Sequence, residues 1–274
     1  RFTMGWGERA MSDSQVVFFM WESFKQSLID KQLFFLEQAR RRLLSQFEDI
    51  EAESERAADE WLDKHSKNFD PDRHDVGSYY EASYEAGIEH HQLLSDMRDQ
   101  TRLSVVAGMF HEWEKQLRDW VAKEVRHAYG SDTAVTQIWK VNFNDIVDLM
   151  ESYGWPIRGG QYFEQIDACR CVVNVYKHGN GGSFSELKKK YPYYLVYPCA
   201  VIDPLLVGID FLDYTYVKVS DSQLQDFSDA IIKFWQDVPE RLYARDGMNV
   251  PNWFGNAVQK DQATRLANRS TPKS

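Results

Sequence analysis

The chain has 274 residues, with 32 Lys and Arg against 42 Asp and Glu, and a formal charge of −10. Hydrophobic residues make up 43% and aromatics 14%, enough for a substantial core. Only eight Pro and 15 Gly argue against a turn-rich β-sandwich or long disordered linkers.

The acidic balance argues against broad, non-specific coating of nucleic acid but leaves room for a local basic pocket. No run of about 18 apolar residues occurs, so no membrane span is expected. The dense cluster Val16 to Trp21 is too short to span. No basic-then-apolar leader with a small-residue cleavage site is present. Three cysteines, Cys169, Cys171 and Cys199, point to a reducing, cytoplasmic setting without a disulfide framework. Residues 1–10 read as a vector-derived scar ahead of a start at Met11.

From Glu8 to Asp70 there is neither Gly nor Pro, and Ile29, Leu33, Leu36, Leu43, Phe47 and Ile50 recur at helical spacing. A long N-terminal helical segment over 11–70 is expected. About 45 helical residues would reach roughly 70 Å, so this helix breaks or packs on a partner. Arg40-Arg41-Arg42 precedes an acidic run from Glu48 to Asp63, read chiefly as a solvated face and secondarily as a partner surface. Asn68-Phe69-Asp70-Pro71 marks a stop. Helices are then expected over Ser78–Gln100, Leu103–Tyr129, Phe143–Tyr153 (N-capped by Asn142 or Asn144) and Tyr162–His178, with Gly179 as a left-handed C-terminal cap. Tyr191–Tyr197 and Asp213–Val219 suggest a short hairpin-like pair. Ser220 with Gln223 fits a capping box opening a last helix. Beyond Pro239 the chain is polar, and 259–274 reads as a loosely held tail. The sum is an all-α helical bundle with a small irregular or β insertion near 180–220, a main helical domain over 71–238, and a C-terminal extension and tail over 239–274.

The most informative segment is Arg170-Cys-Val-Val-Asn174-Val-Tyr-Lys177-His178-Gly179. On a helix, Arg170, Asn174 and His178 fall at i, i+4 and i+8, a polar stripe with Lys177 beside it. An imidazole that exchanges protons near neutral pH, together with fixed cations, suits phosphodiester chemistry. The structural alternative has Lys177 and His178 complementing the helix dipole and Arg170 pairing with Asp167 or Glu164.

The NVYKHGNG pattern, after a helix with an upstream Arg and several long helices, resembles HEPN-type all-α proteins, as does the closing block from Val219 to Trp235. The resemblance covers roughly Leu103 to Asp237, and its sharp part is about ten residues. It implies a metal-independent ribonuclease of the toxin or anti-phage defence type, with a site formed between two subunits. His178 would be the acid/base on an RNA 2′-hydroxyl, Arg170 or Lys177 would hold the phosphate, and Asn174 would orient it. In the family, four to six residues intervene between the Arg and the His. Here seven residues intervene, and Cys171 rather than a polar residue follows the Arg.

No metal or cofactor is expected. Glu124-x-x-His127 lacks a second copy, Glu81, Glu85 and Glu89 read as a solvated face beside His90 and His91, and His111-Glu112 reads as a core or groove pair or as lining the same cleft as His178. No P-loop, GxGxxG or His-Glu-x-x-His is present. The expected partners are RNA, a second copy of the chain in a homodimer, and a protein partner such as an antitoxin. The alternative function is a catalytically silent helical interaction protein.

Overall fold

The structure, a computed structural model, describes residues 2–3, 15–196 and 212–270. It is predominantly α-helical, and none of the described helices is long and apolar enough to cross a membrane. In chain order, β1 (Phe2–Thr3) and β2 (Gln15–Phe19) precede α1 (Glu22–Arg42), α2 (Ile50–Ser66), α3 (Val76–Tyr129), α4 (Asp132–Ile138), α5 (Phe143–Ser152), α6 (Phe163–His178) and α7 (Gly182–Lys190). After them come α8 (Asp221–Asp237), β3 (Arg241–Ala244), β4 (Asn249–Val250) and α9 (Asn252–Ser270).

The expected N-terminal helix breaks. α1 ends at Arg42, a 3-10 turn covers Leu44–Phe47, and α2 starts after Asp49. No Gly or Pro forces this. Arg40, Arg41 and Arg42 sit in the last turn of α1, while Glu51 and Glu53 sit in the first turn of α2, so each helix end meets the charge its dipole favours.

The opposite correction applies downstream, where two expected helices are one, α3, of 54 residues. The polar residues at the supposed joint do not compete with it. Thr101 donates to the Met97 carbonyl at 2.8 Å and Ser104 to Gln100 at 2.9 Å, so both hydroxyls bond back along the helix.

The expected hairpin near 180–220 reduces to one antiparallel bridge, Leu195 to Val217, with short 3-10 turns beside it. Residues 197–211, including Cys199, lie outside the described residues. The ladders form elsewhere: β2 pairs antiparallel with β3, and β1 with β4. Thus Phe2–Thr3, set aside as scar, supplies a strand. Nor is the C-terminal stretch a loose tail, because α9 occupies Asn252–Ser270.

The chain folds into two compact units. The first takes residues 1–33, 108–171 and 225–274, and the second takes 34–107 and 172–224. The first unit has an aromatic core. Phe234 meets Trp113 edge-on at 5.0 Å, Trp155 at 5.0 Å and Tyr162 edge-on at 5.7 Å. Asp237 anchors the polar edges of that cluster, accepting from Trp155 Nε1 at 2.9 Å and the Tyr162 hydroxyl at 2.6 Å. The second unit contains the α2–α3 hairpin, whose seam uses small residues. A Cβ on Gly87 would lie 3.1 Å from the Ser54 carbonyl oxygen and 3.2 Å from Ala58 Cβ, and Ser83 donates to the Ala58 carbonyl at 2.8 Å. Polar ties elsewhere in this unit join Arg40 to Asp221 at 2.9 Å and Lys218 to Asp99 at 2.8 Å.

Candidate functional site

α6 is built for a buried scaffold with a wet end. Ile166, Ala168, Cys169, Cys171, Val172, Val173 and Val175 are buried, whereas Tyr176, Lys177 and His178 are exposed. The helix stops at Gly179, where φ is +67°, and the Gly179 N–H donates to the Val175 carbonyl at 2.8 Å. This is the left-handed cap expected from the sequence, in a conformation that strains any residue with a Cβ.

Arg170 follows the structural alternative. Its Nε donates to Asp167 Oδ1 at 2.8 Å and its Nη2 lies 2.7 Å from the same oxygen, with Cys171 Sγ 3.4 Å from Nη2. The side chains of Arg170 and Asp167 are only 13% and 8% exposed. A shielded carboxylate thus holds the guanidinium one turn back along its own helix. Burial pushes the neighbouring Cys169 thiol well above its ordinary range, so it stays protonated and unreactive.

Asn174, Lys177 and His178 form the other part of the stripe, in the second unit. Asn174 is half-buried and one turn before His178 on the same face, and Lys177 lies beside them. Among the described residues, none of these three side chains has a hydrogen bond or ion pair. The wet end is braced from two directions. The Tyr176 hydroxyl is 2.7 Å from that of Ser104, and Asn180 Oδ1 accepts the Tyr214 N–H at 3.0 Å. Asp213 caps the Tyr214–Tyr216 turn through Thr215, whose N–H and hydroxyl hold that carboxyl below its usual range. The structure therefore presents an imidazole, an amide and an ammonium on the last turns of a fixed helix, while Arg170 is engaged by Asp167.

Two contributors escaped the reading of the sequence. Residues 177–190 carry four Lys against one Glu, a net of +3 within an acidic chain, and Lys188, Lys189 and Lys190 close α7. That run was visible without coordinates. The Asn180–Tyr214 brace was not, because its partners are 34 residues apart.

The other candidates lie elsewhere. Glu124 accepts the Phe19 N–H at 3.1 Å, and burial pushes its carboxyl up. Glu112 accepts from Gln116 at 3.1 Å while His111 is half-buried. Glu81, Glu85 and Glu89 are exposed, and His91 stands 3.9 Å from Glu51. Comparisons of the chain with protein-family models, with curated proteins and with solved structures find no match.

Proposed function

We propose that the chain is a HEPN-like ribonuclease, of the kind used as a toxin component in bacterial defence, acting at the exposed end of α6. The observation that carries this reading is the set His178, Asn174 and Lys177: a proton-exchanging imidazole and an ammonium, unpartnered among the described residues, inside a locally basic segment of an acidic protein. The chain as a whole repels a polyanion, and residues 177–190 are where an RNA phosphate finds opposite charge.

In this reading His178 takes the proton from an RNA 2′-hydroxyl. The 2′-oxygen then bonds to the adjacent phosphorus, the bond from phosphorus to the 5′-oxygen breaks, and that oxygen leaves with a proton from water. Lys177 stabilises the charge that develops on the phosphate, and Asn174 orients the phosphate or the imidazole. Arg170, held by Asp167, positions the helix rather than the phosphate. A homodimer belongs to this reading, with the second subunit completing the cation set.

The test is cleavage of labelled single-stranded RNA and of tRNA in EDTA by the full chain. Wild type should cut, and His178→Ala should lose about 10²-fold to 10⁴-fold, the usual worth of a general acid/base, with its melting temperature kept. Absence of cleavage by wild type, or equal cleavage by His178→Ala, overturns the proposal. The engagement of Arg170 favours the alternative of a non-catalytic interaction protein, to which that outcome would lead.

A further inference from the structure

The chain's negative charge is not spread evenly. Residues 48–99, which include α2 and the first half of α3, hold 16 Asp and Glu against five Lys and Arg, a net of −11 out of −10 for the whole chain. The remaining residues sum to +1. The same segment exposes apolar side chains that a solvated acidic helix has no use for. On α3, Val76, Tyr80, Tyr84 and Ile88 are 54%, 63%, 69% and 52% exposed. Their spacing of four makes one i±4 ridge, the relief into which an approaching helix packs its own side chains. Glu81, Glu85 and Glu89 form a second exposed ridge alongside, so that Glu81 neighbours Tyr84 and Glu85 neighbours Ile88 one turn apart. Beneath them, Ser83 and Gly87 are buried in the seam with α2, so the backbone bearing both ridges is held in place.

We infer that this face docks a basic amphipathic helix of a partner protein. The ridge of two tyrosines flanked by aliphatic residues receives the partner's apolar stripe, and the three glutamates receive its Lys and Arg. Tyrosine suits the centre of such an interface, giving large contact area at low conformational cost. The charge decides the occupant. A second copy meeting it face to face would bring another segment of net −11, and a nucleic acid would bring phosphates, so both are repelled. The ridge ends at Ile88, about 24 Å along α3 from Ser104, the residue that meets Tyr176 near His178, so its occupancy does not depend on whether RNA is cut.

The test uses the full chain and a fluorescein-labelled amphipathic peptide, with Lys and Arg on one helical face and Leu and Phe on the other. A peptide with Glu in place of the cations and a scrambled peptide serve as controls, and binding is read by fluorescence anisotropy. The basic amphipathic peptide should bind, and the two controls should bind at least about tenfold more weakly. Tyr84→Ser with Ile88→Ser should weaken binding about tenfold or more, as loss of central anchors does. Glu81→Gln with Glu85→Gln and Glu89→Gln should weaken it comparably and flatten its dependence on salt. All five positions are exposed, so unchanged circular dichroism is expected for both variants. Equal binding by wild type and the Tyr84/Ile88 variant overturns the inference, as does equal binding of the Glu peptide. A dimeric mass by light scattering that falls to a monomer in that variant assigns the face to a second copy and overturns it too.

Discussion

Arg170 meets a single oxygen of Asp167 through two nitrogens, Nε at 2.8 Å and Nη2 at 2.7 Å. A guanidinium so placed is costly to remove, because a shielded carboxylate loses both of its contacts with it. Arg170→Ala is expected to destabilise the chain by about 3 kcal/mol. Arg170→Ala with Asp167→Asn should recover part of that loss, which a thermodynamic double-mutant cycle by chemical denaturation reads directly. If Arg170→Ala instead melts like wild type while losing activity, the residue handles substrate and its structural assignment fails.

His178 should behave in the opposite way. It is exposed at the end of α6, so His178→Ala removes only an interaction with the helix dipole and should cost less than about 1 kcal/mol. A larger drop in melting temperature would show that the imidazole is needed for packing.

Gly179 tests the cap. Its φ of +67° is left-handed, and the nearest atoms to an added Cβ, on the Tyr214 ring, are 3.7 Å away, an ordinary contact. The cost of Gly179→Ala is therefore conformational, about 1 kcal/mol. Gly179→Asn should cost less, because Asn tolerates this region better. Thermal unfolding of the two variants should rank them in that order.

Local signals carried well from sequence to structure. The capping box at the start of α8 forms as expected, with Gln223 N–H donating to Ser220 Oγ at 3.1 Å and Ser220 N–H to Gln223 Oε1 at 2.8 Å. Asn142 and Asp145 form another at the start of α5. Both depend on residues three apart, which one sequence displays. The alternative for Arg170 was legible for the same reason, since Asp167 is three residues away. What failed were judgements of continuity. One helix ends at Arg42 without a Gly or Pro, with favourable charges at both flanking ends, and polar Thr101 did not end another. The β pairings were illegible because β2 and β3 are more than 200 residues apart. Asn174, Lys177 and His178 were readable as a stripe, but the engagement of its fourth member is a fact of packing.

Glu124 offers a pH test with a definite sign. Its Oε2 accepts the Phe19 N–H, yet burial raises its folded-state pKa above the unfolded value. A raised pKa makes the group's favourable contribution complete below the unfolded value, and that contribution is lost as pH rises through the folded one. At neutral pH the charged carboxylate therefore carries a desolvation penalty. Glu124→Gln keeps an acceptor for Phe19 without the charge and should raise the melting temperature at pH 7, with the gain vanishing near about pH 4. Glu124→Ala removes the acceptor and should lower it at both. A lower melting temperature for Glu124→Gln at pH 7 would show that the charge itself is favourable there.

Asp261 and Arg265, one turn apart on α9, close the facing ends of two other helices. Asp261 serves the start of α4, its Oδ2 accepting the Ser131 hydroxyl at 2.6 Å and the Thr133 N–H at 2.9 Å, while Oδ1 accepts the Thr133 hydroxyl at 2.6 Å. Arg265 serves the end of α3, where Nη1 donates to the Tyr129 carbonyl at 3.1 Å and Nη2 donates to that of Gly130. An acid thus meets an N-terminus and a cation a C-terminus, the pairing helix dipoles favour. The hydrogen bonds from Ser131 and Thr133 hold the Asp261 carboxyl below its ordinary range, with Arg265 adding to the effect. A depressed pKa contributes stability that is present above the unfolded value, near about 3.9, and is lost as pH falls through the folded one. Asp261→Asn retains one carbonyl oxygen where the carboxylate uses two, and should cost about 1 kcal/mol at neutral pH, the usual worth of a helix N-cap acceptor. Chemical denaturation of wild type and variant from about pH 7 to about pH 3 should show a constant gap that narrows only below about pH 4. A gap that persists unchanged at the acid end would mean that the side chain acts through shape and not through its charge.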